Sequence, residues 1–203
     1  MKIAVLISGG GTTLKNLIDR IDAGTLNAEI ALVISSNPKA GGLNFANEAS
    51  IASSTISHKD FDDRDSFSDT IFTALRDSGA DLIVMGGFLR QLSIPSDFEN
   101  RIINIHPSLI PSFCGKGNYG SRVHQGVLDY GCKLTGCTVH FVDDDYDHGP
   151  IIAQASVAVE TDDDVQSLAA RVFAAECELL PTVINQIAAG QVKVVGRTVS
   201  VAE

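Results

Sequence analysis

The run Ile3-Ala4-Val5-Leu6-Ile7 is followed at once by Ser8-Gly9-Gly10-Gly11-Thr12-Thr13, then by Leu14, Leu17, Ile18 and Ile21 at helical spacing. No other stretch restricts the possible folds as much. An unbroken apolar run fits a strand covered on both faces, and recurrence at three and four residues puts one apolar stripe on a helix. The alternation continues. Glu29 to Ile34 reads as a strand, Asn37 to Gly42 as a loop, Leu43 to Ser50 as a short helix and Ser54 to Ser57 as an edge strand. Phe61-Asp62-Asp63-Arg64-Asp65 opens a helix to about Ser78 with Phe67, Ile71, Phe72 and Leu75 inward, and Asp81 to Met85 is the next buried strand. Strands alternating with helices predict an α/β chain with a doubly wound parallel sheet.

A strand, a glycine turn and a helix start also make an anion site, because the first-turn N–H groups and the helix dipole favour negative charge. The turn is not GxxxxGK[ST], which argues against a nucleoside triphosphate. It is not GxGxxG either: Leu14 stands where the third glycine belongs, and the strand after it ends in Ser35-Ser36-Asn37 with no acidic residue for a ribose diol. A single phosphate monoester suits the turn better than a dinucleotide. A glycine turn that merely connects two elements remains open at this level.

Ile102-Ile103-Asn104-Ile105-His106-Pro107-Ser108-Leu109-Ile110-Pro111 begins as a strand, since isoleucines favour a pleated, buried backbone. Alternation puts Asn104 and His106 on one face. Pro107 has no N–H for the ladder and ends the strand, so an amide and a titratable imidazole stand at its carboxyl end, where open α/β sheets place their chemistry. A satisfied core histidine beside a strand-end asparagine fits the local pattern equally well.

Beyond Pro111, Ser112 to Gly120 is a loop with glycines at 115, 117 and 120 and a lysine at 116. Val123, Val127 and Leu128 mark a helix ending near Gly131. Leu134 to Val142 is a strand with Thr138 and His140 on one face and Cys137, Val139 and Phe141 on the other. Asp143, Asp144, Asp145 and Asp147 crowd one loop, and their mutual repulsion raises pKa values wherever that loop is packed. Their spacing does not match a twelve-residue calcium loop. Ile151 to Val159 is a further strand. Asp162-Asp163-Asp164 caps a helix from Val165 to about Ala189, in which Pro181 predicts a break or kink near Leu180. Gln191 to Val199 closes as a hairpin.

Composition narrows the partners. With 15 basic and 25 acidic residues the formal charge is −10, and without a Lys/Arg-rich run the chain is a poor match for nucleic acid or an anionic membrane. Cys114, Cys132, Cys137 and Cys177 form no CxxC pair and no zinc-like spacing, so no metal is expected. The first strand begins at Lys2 with no leader ahead of it, and no membrane-length apolar run follows. The expectation is a cytoplasmic protein with reduced thiols.

Together these segments resemble the folate-dependent formyltransferases, most closely the phosphoribosylglycinamide (GAR) formyltransferases of purine synthesis. The resemblance rests on Ile7-Ser8-Gly9-Gly10-Gly11-Thr12, Gly87-Phe88-Leu89-Arg90, Asn104-Ile105-His106-Pro107-Ser108-Leu109, Gly136-Cys137-Thr138-Val139-His140-Phe141-Val142, and Asp147 with Gly149-Pro150. It implies a three-layer α/β/α fold with a mostly parallel seven-stranded sheet, order 3-2-1-4-5-6-7 with strand 6 antiparallel, and a Rossmann-like N-terminal half. It further implies a single domain over 1–203: a phosphate and ribonucleotide half at 1–100, a catalytic and folate half at 101–189, and a hairpin at 190–203.

The implied reaction moves the formyl group of 10-formyltetrahydrofolate, a cosubstrate, to the primary amine of glycinamide ribonucleotide. By the resemblance, Asn104 and His106 bind the developing oxyanion and Asp147 sets the protonation of His106 and relays protons. Gly10, Gly11, Thr12, Thr13, Pro107, Ser108, Lys116 and Glu176 fall to the ribonucleotide. Arg64, Leu89, Arg90, Gln91, Leu92, Val142, Asp143, Asp144 and Tyr146 fall to the folate. The implied partners are small-molecule substrates, with no nucleic acid and no membrane, for a monomer or homodimer. Three positions depart from the family pattern: Thr13 replaces an asparagine, Gly115 to Gly120 replaces a Pro-Gly segment, and His148 stands where a small residue is usual. Formyl transfer to another amine, such as an amino-sugar nucleotide or initiator tRNA, stays open, although the tRNA enzymes carry an extra C-terminal domain. So do formyltetrahydrofolate hydrolysis, in a family with an N-terminal regulatory domain, and a non-catalytic folate- or phosphate-binding module.

Overall fold

A computed structural model describes residues 1–202. Among these, β1 (Lys2–Ile7), β2 (Glu29–Ser35), β3 (Ser53–Thr55), β4 (Leu82–Met85), β5 (Ile102–His106), β6 (Leu134–Phe141) and β7 (Ile151–Ala158) form a seven-stranded sheet in the order β3-β2-β1-β4-β5-β6-β7. Five α-helices accompany it: α1 (Thr12–Asp22), α2 (Gly42–Glu48), α3 (Arg64–Ser78), α4 (Ser121–Tyr130) and α5 (Val165–Ala188). A separate two-stranded sheet pairs β8 (Val192–Val195) with β9 (Thr198–Val201). The expected hairpin is therefore present, and its expected last residue, 203, lies outside the described residues. The expected strand order is the observed one. The chain divides into two compact units, the first Met1–Ile103 and the second from Asn104 onward.

In the first unit β1 pairs in parallel with both β2 and β4, and β2 with β3. Ile3 to Ile7 are fully buried, and Leu14 and Leu17 of α1 are buried as completely. The helical spacing read from the sequence is what presents those leucines on one face. Asp63 starts α3 by accepting the Ser66 N–H at 2.7 Å, while Gly79, at φ 66°, closes it.

In the second unit β6 and β7 are antiparallel, and α5 packs on both and on α4. Asp164 caps α5 by accepting the Gln166 and Ser167 N–H groups, each at 2.8 Å, with the Ser167 hydroxyl returning to the Asp164 N–H. Of the break or kink expected near Leu180, the break does not occur: α5 runs through Pro181 as one helix. Pro181 removes one i→i−4 hydrogen bond, but Leu180, Pro181, Val183 and Ile184 are all buried, and that packing holds the helix together across the missing bond.

Candidate active site

Asn104 and His106 leave the end of β5 on one face, and the second unit surrounds them with polar groups. His106 is 4% exposed. Its Nε2 lies 3.0 Å from the Phe113 carbonyl oxygen and its Nδ1 3.5 Å from Asp147 Oδ2. A carbonyl oxygen only accepts, so the Phe113 contact puts the hydrogen on Nε2. In the neutral ring Nδ1 is then bare and turned towards the Asp147 carboxylate. Burial pulls the His106 pKa below the usual imidazole value and His140 adds to the lowering, against opposing pulls from Asp147 and the Phe113 carbonyl.

Asp147 comes from the loop between β6 and β7. One carboxylate oxygen, Oδ2, accepts the Gly115 N–H at 2.8 Å; the other, Oδ1, lies 3.4 Å from Asn104 Nδ2 and 3.7 Å from His140 Nε2. The crowding of carboxylates in this loop led to an expectation of raised pKa values. At Asp147 the opposite holds. Burial does push its carboxyl up, but the neighbouring His140 and His106 side chains and the Gly115 N–H outweigh it, and the group sits below the ordinary aspartate value. Asp147 also has φ 54°, a left-handed conformation that costs a non-glycine residue about 1–2 kcal/mol. Strain of that kind survives where surrounding contacts over-determine it.

His140 is the member of this cluster that the site assignment from sequence left out. Its Nδ1 lies 2.7 Å from the Phe141 carbonyl oxygen and its Nε2 3.2 Å from Asn104 Nδ2. One tautomer satisfies both contacts: hydrogen on Nδ1, lone pair on Nε2 to receive the Asn104 amide. That orients the Asn104 side chain. The signal was available, since alternation already placed Thr138 and His140 on one face of β6. What alternation cannot say is that this face meets the mouth of β5. Cys114 is no nucleophile in this arrangement: burial first, then Asp147, pushes its thiol up, and it donates to the Pro111 carbonyl at 3.3 Å.

The remaining second-unit residues are placed as follows. Ser108 is buried, and its hydroxyl donates to the Ser112 carbonyl at 2.6 Å, which is a turn-holding contact. Pro107 is half-buried and Lys116 exposed on the glycine loop. Val142 and Asp143 are half-buried, while Asp144 and Tyr146 are exposed. Asp143 accepts the Asp145 N–H at 3.1 Å and pairs with His148 Nδ1 at 3.1 Å.

Glu176, half-buried on α5, has its carboxyl pushed up to about 7 by burial. Its folded pKa lies above the unfolded value of 4.5, so the folded protein binds the extra proton across that window. Stability from this group is present below pH 4.5, falls as pH rises to about 7, and is level above it. Glu176→Gln removes the titration. By thermal unfolding, the variant should gain on wild type by on the order of 2 kcal/mol between pH 5 and pH 8. An unchanged difference across that range would contradict the burial of this carboxyl.

In the first unit, Gly11 precedes α1 at φ 77° and supplies no capping oxygen, so the first-turn N–H groups of Thr12 and Thr13 have no intrahelical or cap partner. The glycines divide in role. A Cβ on Gly11 would lie 2.4 Å from Gly42 Cα, whereas Gly9 and Gly10 are exposed with nothing within 4 Å of theirs. Gly11 thus serves backbone packing, and Gly9 and Gly10 leave room for a ligand. Thr13 packs 3.3 Å from where a Gly86 Cβ would be. Arg64 and Arg90 are exposed, Leu89 is 46% exposed, Gln91 half-buried and Leu92 buried.

A model of the formyl transferase family matches residues 1–184. The chain belongs to this family. It is 36% identical to a phosphoribosylglycinamide formyltransferase of Haemophilus influenzae, over 95% of this chain and 89% of that protein. It is 41% identical to the trifunctional purine biosynthetic protein adenosine-3 of Gallus gallus over 96% of this chain, which spans 19% of that longer relative. The crystal structure of glycinamide ribonucleotide transformylase 1 from Symbiobacterium toebii superimposes with a TM-score of 0.94 at 36% identity, covering 100% of this chain and 94% of that one. As a formyltransferase-family chain, it has its three expected catalytic residues gathered in one unit.

Proposed function

We propose that this chain transfers the formyl group of 10-formyltetrahydrofolate to the primary amine of glycinamide ribonucleotide, a step of purine synthesis. The observation that carries the reading is the cluster of the buried His106 with the half-buried Asn104 and Asp147, with a carboxylate held ionised beside a neutral imidazole. A binding module needs no such cluster. The choice of acceptor is supported by the relatives, several of which are phosphoribosylglycinamide formyltransferases.

The amine nitrogen attacks the formyl carbon, a C–N bond forms, and the formyl oxygen becomes an oxyanion. Asn104 is the direct donor for that charge, turning an amide hydrogen from its long 3.4 Å contact with Asp147, and His106 becomes a second donor once its bare Nδ1 has taken up a proton; fixed donors aimed at a developing oxyanion are worth about 3 kcal/mol each. His106 is neutral before the reaction, and its bare Nδ1 gains proton affinity as negative charge grows beside it. The ionised Asp147 takes the proton released by the attacking amine and, through water and the bare His106 Nδ1, hands it to the leaving folate nitrogen, while the oxyanion reforms the carbonyl and the old C–N bond breaks. Proton and bond changes then balance. Gly10, Thr12 and Thr13 are assigned to the phosphate, with the open glycine and the uncapped first turn of α1 in support, and Gly11 shapes the same turn. Lys116, Pro107, Ser108 and Glu176 belong to the ribonucleotide. Leu89, an exposed apolar side chain beside Arg90, fits a folate ring followed by carboxylates. Arg64, Gln91, Leu92, Val142, Asp143, Asp144 and Tyr146 complete the folate assignment. The partners are these small molecules, in a cytoplasmic monomer or homodimer. No helix among the described residues is long and apolar enough to cross a membrane, and no cluster among them offers three metal-ligating side chains.

Purified protein given both substrates should consume 10-formyltetrahydrofolate only when the ribonucleotide is present. Turnover without the ribonucleotide would replace transfer by hydrolysis; turnover with a different amine alone would replace the acceptor; binding of either ligand with no turnover would leave a binding module.

A further inference from the structure

The C-terminal hairpin has no place in the chemistry described so far. β8 and β9 alternate half-buried and exposed residues, and a two-stranded sheet with little buried surface is marginal by itself. It is tied down in two places. β9 packs against β7, and Arg197, in the turn between β8 and β9, reaches the loop that carries Asp147. Arg197 Nη2 donates to the His148 carbonyl oxygen at 2.7 Å, and Nη1 lies 3.4 Å from His148 Nδ1, the atom that pairs with Asp143.

We propose that Arg197 is a positioning residue for the transfer reaction, holding the His148 carbonyl so that the left-handed Asp147 next to it keeps its carboxylate on Asn104, His106 and the Gly115 N–H. The proposal rests on the formyl-transfer reading. The peptide plane it fixes is the one between residues 148 and 149, one residue beyond the strained Asp147. Gly149 already lies so close under the Phe141 carbonyl that a Cβ there would be 1.9 Å from the oxygen. The loop is therefore pinned after Asp147 by close packing at Gly149 and by a charged hydrogen bond at His148. On its other side Asp143 reaches His148 itself, so the two ends of the loop converge on the residue that Arg197 grips. A guanidinium suits this task because its planar fork engages the carbonyl with Nη2 while Nη1 stays beside the imidazole. The hairpin is then a strut, and its turn sequence Val195-Gly196-Arg197-Thr198 serves the active site from outside it.

The test uses the full chain and two independent readouts. Arg197→Ala should lower kcat about tenfold, leave KM for the ribonucleotide within about twofold, and shift the melting temperature little, with Arg197→Lys recovering part of the rate. In wild type and variant, hydrogen exchange of the Gly115 amide reports directly whether Asp147 still accepts its hydrogen bond. It should exchange about tenfold faster in Arg197→Ala. Unchanged kcat with unchanged Gly115 exchange would overturn the proposal, as would a loss of rate explained wholly by a fall in melting temperature. Should the wild-type chain fail to transfer formyl at all, the reaction assignment falls, and the exchange comparison still decides whether Arg197 holds the Asp147 loop.

Discussion

His106→Ala will lower kcat for formyl transfer at least about a hundredfold, and Asp147→Asn will do the same, while folate affinity stays within about threefold. The two substitutions fail for different reasons. Alanine at 106 removes the imidazole and strands the Phe113 carbonyl it engages at 3.0 Å, so no ring nitrogen remains to take up a proton and then face the oxyanion from that side. Asparagine at 147 keeps nearly the same shape but carries no charge. The favourable electrostatic pull on His106 disappears, and the group can no longer accept and pass a proton. Two new amide hydrogens must also be accommodated where the Gly115 N–H and the Asn104 amide now point at oxygen. Steady-state kinetics with both substrates and an equilibrium folate titration check the pair of expectations. A rate within about tenfold of wild type in either variant would remove that residue from its role. The pH dependence adds a second reading. Burial holds His106 below its usual value, and Asp147→Asn removes an opposing influence, so any kinetic ionisation belonging to His106 should move to still lower pH in that variant.

Gly136→Ala is expected to cost stability more than any surface substitution in the chain. Gly136 lies within β6, and a Cβ there would sit 1.9 Å from the Ala155 carbonyl oxygen on β7 and 2.9 Å from Leu109 Cδ2. The side chain of Leu109 can move, but the Ala155 carbonyl belongs to the β6–β7 ladder and cannot retreat without breaking the pairing. Overpacking in a core costs about 1–3 kcal/mol and more where backbone must shift; about 3 kcal/mol corresponds to a fall of roughly 6–12 °C in melting temperature for a chain of this size. Because β6 also carries His140, activity should fall with the pairing. Gly9→Ala is the control. Nothing lies within 4 Å of a Cβ at Gly9, so its melting temperature should stay near wild type. Equal melting temperatures for Gly136→Ala and Gly9→Ala would mean that the β6–β7 pair is looser than its geometry implies.

Most of the secondary structure follows from local patterns that need no tertiary information. The apolar run at Ile3 to Ile7, the helical spacing of Leu14, Leu17 and Ile18, and the cap at Asp164 each act within a few residues. The pairing of Asn104 with His106 on one face is equally local, because strand alternation is a property of the backbone. Pro181 is the counterexample. Its local effect is to break a helix, and the buried face on either side of it prevails. Ser108 shows the same limit: its hydroxyl donates to the Ser112 carbonyl only because the folded turn brings that carbonyl to it.

The active site itself divides along the same line. Residue types, strand ends and the glycine turn were readable because they depend on neighbours one to four positions away. The meeting of Asn104 with Asp147 and of His140 with Asn104 spans separations of 43 and 36 residues, which no periodicity encodes. Family resemblance supplied Asp147; it did not supply His140 or the grip of Arg197 on His148, 49 residues away. Even the sign of the Asp147 pKa shift required the folded chain. From composition, four neighbouring carboxylates repel and rise, whereas in the fold two imidazoles and an N–H surround one of them and hold it down. Charge along a sequence is counted by position, but its energy depends on distance and burial, and those exist only once the loops have closed.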